Sequence, residues 1–163
     1  FIVSGKTGKG IILTLADRKT RVSFLEQILE VTISHVHQAF QRIQRRFPEL
    51  KSISTDNDLL LARHKELACV LKIKIYFCHP YNSWEKGTIE NTNKYVRRDI
   101  PKGSDISRYS KRFIRNVEHK LNRRYMNALN YRTPQEMLDL HRKRKKRSRA
   151  LRNRRKLSVL LEP

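Results

Sequence analysis

Residues 83–100, SWEKGTIENTNKYVRRDI, place the carboxylate of Glu90 beside Asn91 and Asn93, with Lys94, Arg97 and Arg98 following it. An acid in that company can be ordinary surface charge on a helix. It can also hold a metal ion next to cations that hold a phosphate chain. At 100° per residue, Ile89, Val96 and Ile100 share one side of a helix, while Glu90, Lys94 and Arg97 form a neighbouring stripe at i, i+4 and i+7. The acid then borders the buried face and the cations continue its line outward. Such i,i+4 pairs are common on solvated helix faces and are worth only about 0.3–0.5 kcal/mol, which by itself favours the surface reading. Asn91 and Asn93 are poor helix formers, and Tyr81 and Trp84 supply flat apolar faces just before the acid. A second acid, Asp56, lies 34 positions earlier in STDND. It ends an expected strand and precedes an expected helix, the usual ligand position in an open α/β sheet. As a turn and cap residue it would serve structure alone.

The composition favours an anionic partner. With 37 Lys and Arg against 15 Asp and Glu in 163 residues, the formal charge is +22. Such an excess repels itself in a compact fold unless a polyanion is near, and nucleic acid is the leading candidate. No apolar run approaches the roughly 20 residues of a spanning helix and no signal pattern opens the chain, so no membrane role and a cytoplasmic setting are expected. Residues 141–163 carry eleven cations and one acid, a block expected to stay solvated or to lie on an anion. Residues 1–140 keep 26 cations and 14 acids, so the body is basic in its own right. This divides the chain into a core, 1–140, and a basic tail, 141–163. Cys69 and Cys78 lack zinc spacing and are expected to be reduced and buried or half-buried.

The elements that must position these residues follow from periodicity. GIILTLAD (10–17) and RVSFLEQI (21–28) suit two strands joined by the DRKT turn. Ile33, Val36, Phe40, Ile43 and Phe47 line one helix face that Pro48 stops. KSISTD is a short strand. Leu60, His64, Leu67, Ala68 and Leu71 mark a helix that Asp58 could cap. Ile73, Ile75 and Phe77 alternate as a half-buried strand, and the helix with Glu90 follows. Tyr109, Phe113, Val117 and Leu121 mark another helix. The order implies an α/β class with a mixed sheet flanked by helices. FIVSGKTGKG offers only three apolar residues and no convincing first strand.

Together STDND, YNSWEKGTIENTNKYVRR, PKGSDISRYS and LNRRYMNALNYRTPQEML resemble the catalytic core of bacterial transposases of the insertion-sequence-thirty family, from about residue 3 to residue 140. That family belongs to the retroviral-integrase superfamily. The resemblance implies a ribonuclease H-like fold and a site of three carboxylates, Asp, Asp and Glu, that holds two Mg2+ ions, with Mn2+ as a substitute. By motif, the second Asp is Asp56, the Glu is Glu90, and the DNA-contacting basic residue seven positions on is Arg97. Two ions about 3.5–4 Å apart serve both ends of an in-line displacement at phosphorus. The implied activity is cleavage of transposon ends and strand transfer into target DNA, by a homo-oligomer. Trp84, Lys86, Lys94 and Arg98 join Arg97 as expected DNA contacts. The first Asp falls just before Phe1, so the first strand is expected to be truncated and the chain incomplete or inactive. Asp58 stands where the family usually has Gly. The other reading is a non-catalytic nucleic-acid-binding protein of ribosomal or architectural type, with Asp56 and Glu90 structural.

Overall fold

A computed structural model describes residues 1–3, 8–56, 59–78 and 87–160. Three antiparallel strands form the first sheet: β1 (Ile2–Val3), β2 (Ile11–Ala16) and β3 (Ser23–Ile28), in that order. The expected hairpin is present, with Ile11 opposite Ile28 and Ala16 opposite Ser23. Its turn is closed by Asp17, whose Oδ2 accepts from the N–H and the hydroxyl of Thr20, both at 2.7 Å. β1 has two residues, and its pairing with β2 defines it as a strand. A second, parallel pair joins β4 (Ser52–Thr55) to β5 (Lys74–Phe77).

The alternation of β2 and β3 feeds two cores. Ile11, Leu13, Phe24 and Ile28 pack with Val36, Ala39, Phe40 and Ile43 of α1 (Ile33–Arg46). Ile12 and Leu25 pack with Val96 of α3 (Gly87–Asp99), with Ile100, and with Ile114 and Val117 of α4 (Lys111–Asn122). The sheet thus lies between helix layers, which is the α/β architecture expected. Thr32 and Ser110 cap α1 and α4, their side chains accepting from His35 N and Phe113 N; such caps contribute about 1 kcal/mol each.

In the first sheet β3 is an edge, and α4 covers it with side chains. Asn122 accepts from Ser23 N and donates to Ser23 O, both at 2.8 Å, as a neighbouring strand would. One turn earlier, Glu118 accepts the Leu25 N–H at 2.6 Å. Arg46 binds Glu118 at 2.7 Å and Glu26 at 3.0 Å, and Arg115 and Arg42 complete the cluster. Burial pushes the Glu118 carboxyl up to about 7, against the pull of the Leu25 N–H and Arg115. At Ser23 and Leu25 the free edge is thus satisfied by side chains, which blunts it to strand addition there.

Three local expectations change. The helix expected from Leu60 is a 3-10 turn, Leu59–Leu61, followed by α2 (His64–Leu71), whose N-cap is Arg63; Asp58 lies outside the described residues. Phe77 is not half-buried: it is exposed, with its ring edge-on to His64 at 4.8 Å. Cys69 is exposed because Leu67 and Leu71 take the buried face of α2, while Cys78 is half-buried, and the two form no disulfide. Residues 141–160 are helical, in α5 (Pro134–Leu160). A capping box starts α5, with Glu136 N donating to Thr133 Oγ1 and Thr133 N donating to Glu136 Oε2, and Pro134 at the first helical position. Leu138 is buried and Arg142 grips Glu49 at 2.9 and 3.1 Å, holding that carboxyl below its ordinary range; from Lys143 to Asn153 the helix is exposed. Among the described residues no helix is long and apolar enough to cross a membrane.

Candidate active site

Asp56 follows the last residue of β4, where Cys78 N donating to Thr55 O at 2.8 Å extends the parallel ladder past β5. Glu90 lies in the first turn of α3, whose rotation is fixed by buried Val96 and by Ile100 just beyond the helix. Both acids are exposed, and both line one cavity of about 490 Å3 between the two sheets and α3. Phe1, Asp17, Thr88 and Asn93 line it as well. Two further oxygens in its wall, Thr14 Oγ1 and Asn93 Oδ1, are buried without a hydrogen-bond partner among the described residues. Buried polar atoms of that kind call for an ordered water or an ion's hydration shell.

The carboxylates, hydroxyls and amide oxygen among the residues of that wall suit a hard divalent cation that keeps several waters and takes one or two carboxylates, although Arg18 and several apolar side chains line it too. Among the described residues no group of three His, Cys, Asp or Glu is placed to hold a metal. Asp17 lines the cavity, but its Oδ2 is engaged by Thr20. Asp56 and Glu90 are the other carboxylates of that wall.

The cations lie along α3, away from the cavity wall. Lys94 is exposed; Arg97 Nη1 donates to Pro101 O at 3.2 Å; Arg98 lies over the Tyr95 ring at 4.5 Å. Trp84 and Lys86, together with Tyr81, lie outside the described residues. Thr14 and Thr88 of the cavity wall carried no signal of their own in the sequence, and Asn93 stood out there only as a poor helix former beside the acid.

No protein-family model matches the chain. The transposase for insertion sequence element IS4351 of Bacteroides fragilis is 40% identical over 135 residues, 82% of this chain and 41% of its own length. The transposase InsI for insertion sequence element IS30A of Escherichia coli (strain K12) is 35% identical over 140 residues, 85% of this chain and 36% of its own. Over most of its length the chain is related to IS30-type transposases. It spans about two fifths of those relatives. The crystal structure of the catalytic core domain of BIV integrase superposes with a TM-score of 0.68 at 16% identity, covering 88% of this chain and 93% of that one. A simian T-cell lymphotropic virus intasome, in complex with the PP2A regulatory subunit B56 gamma, matches at a TM-score of 0.60 and 15% identity, over 84% of this chain and 56% of that one. The fold is therefore that of an integrase catalytic core, ribonuclease H-like, as the sequence motifs implied.

Proposed function

We propose that the chain is the catalytic core of a DNA transposase, acting in metal-dependent cleavage of transposon ends and strand transfer into target DNA. One observation carries the reading: Asp56 and Glu90, on separate elements, open onto the same cavity beside a cationic helix. Asp56 and Glu90 would hold Mg2+, or Mn2+ in its place. Such an ion, when bound, supplies Lewis acidity at the phosphodiester and lowers the pKa of a bound water. The chain's own part is to hold the strand: Lys94, Arg97 and Arg98, with Trp84 and Lys86 before them, neutralise and stack on the DNA. The two-ion arrangement needs a third carboxylate, and Asp17 is committed to its turn, so these residues alone are expected to cleave poorly. Action as a homo-oligomer in the bacterial cytoplasm belongs to the same reading, supported by similarity to named transposases and an intasome. No observation favours a ribosomal or architectural protein.

Affinity for duplex DNA, measured with and without Mn2+ at matched ionic strength, separates the two classes. The transposase reading expects Mn2+ to tighten binding several-fold, and Glu90→Gln to abolish the gain while keeping metal-free affinity. Binding indifferent to Mn2+ would favour a plain nucleic-acid binder.

A further inference from the structure

On the other side of Thr88 lies a second cavity, of about 380 Å3, between the hairpin turn, α3 and the segment after α4. Arg21, Asn91, Thr92, Tyr95 and Arg124 line it with Thr88, and among the described residues no carboxylate does. The paired arginines of the body are placed differently. Arg42, Arg46, Arg115 and Arg142 each meet a carboxylate, at 2.7–3.3 Å. Arg124 instead lies over the Tyr95 ring at 3.3 Å, the ring that also carries Arg98, and its Nη1 is buried without a hydrogen-bond partner among the described residues. Stacking fixes the plane of the guanidinium without neutralising it.

Arg21 adds a second, independent sign. Its φ of 61° is left-handed, a conformation that favours glycine and costs a long side chain. The hairpin turn sets this conformation, with Arg21 N donating to Asp17 O and Asp17 N to Val22 O, both at 2.9 Å. The Arg21 side chain reaches across to α3, where Nη1 donates to Thr88 Oγ1. Thr88 lines both this pocket and the carboxylate cavity. Two guanidinia, an amide and hydroxyls therefore converge one side chain away from the Asp56 and Glu90 cavity.

We propose that this pocket is a phosphate-binding site that takes a backbone phosphodiester of the DNA strand next to the one presented to Asp56 and Glu90. The proposal rests on the DNA reading above and names where that strand is gripped. Planar, fixed guanidinia suit a phosphate's paired oxygens, and hydroxyl and amide donors complete such a site.

The test is the salt dependence of duplex DNA binding by the full chain. Arg21→Gly removes one guanidinium at a position where glycine is favoured, so folding is expected to hold or improve, as a thermal melt would show. Arg124→Gln removes the other. The double variant should lower the slope of log K against log salt by about 0.9, one phosphate's worth, on any duplex sequence. Arg21→Gly alone should give part of that loss with its melting temperature kept. Adding Lys94→Gln should reduce the slope further, since Lys94 faces another phosphate. A folded Arg21→Gly protein and a double variant with the unaltered chain's slope and affinity would overturn the pocket while leaving the DNA reading intact. Failure of the unaltered chain to bind duplex DNA would overturn that reading, and the pocket with it.

Discussion

Glu26 and Glu118 meet three arginines at the edge of β3, whereas Asp56 and Glu90 open onto a cavity between the sheets and α3. The first pair is buried, and its oxygens are consumed by guanidinia and the Leu25 N–H. The second pair is exposed, and the Glu90 side chain makes no hydrogen bond or ion pair among the described residues. The same chemical group thus serves opposite ends. Enclosed by donors, a carboxylate locks elements together; exposed on a cavity wall, as Glu90 is, it can meet something that arrives.

The difference can be broken from the structural side first. Glu118→Ala strands the buried Leu25 N–H and leaves Arg46 with Glu26 as its carboxylate partner, and leaving such a buried donor unmet costs about 1–3 kcal/mol. Asp56→Asn and Glu90→Gln should change stability by no more than about 0.5 kcal/mol, as exposed substitutions do. Denaturant unfolding of the three variants measures both. A Glu90→Gln protein as destabilised as Glu118→Ala would make the cavity acids structural and erase the distinction.

The basic end of α5 sharpens it more mildly. Arg142 is anchored on Glu49, while the helix beyond is exposed. Ending the chain after Arg142 removes ten cations and spares the anchor. The slope of log K against log salt for duplex DNA should become shallower, by about 0.9 for each phosphate that the missing cations would have neutralised, with binding still measurable. Loss of all binding would mean that the body, with its Lys94 stripe, does not face the DNA.

Much of this was legible in the sequence where one element suffices. The hairpin and α1 follow from periods of two and 3.6, and the capping box Thr133-Pro-Gln-Glu136 sits in the motif that carried the resemblance. Asp56 and Glu90 were singled out through that resemblance and through their places at a strand end and on a helix stripe. What escaped depends on meetings between elements. No periodicity couples Glu118 to Leu25, or brings Arg21 to Thr88 and Arg124 to Tyr95. β1 was missed because two residues make a strand only through their partner. α2 starts late because Leu59–Leu61 turn more tightly than an α-helix. The basic block offers no apolar face, so its helix is set from the N-terminal side, by the capping box, Leu138 and Arg142.

The central claim is that Asp56 and Glu90 together form an ion site. Isothermal titration of Mn2+ into the full chain, and into the Asp56→Asn and Glu90→Gln variants, tests it directly. The expected result is one ion per unaltered chain, with binding weakened at least about tenfold by either substitution, as loss of a ligand requires. Melting temperature and metal-free DNA affinity should stay unchanged. Equal Mn2+ binding by all three proteins, or none by the unaltered chain, would contradict the account.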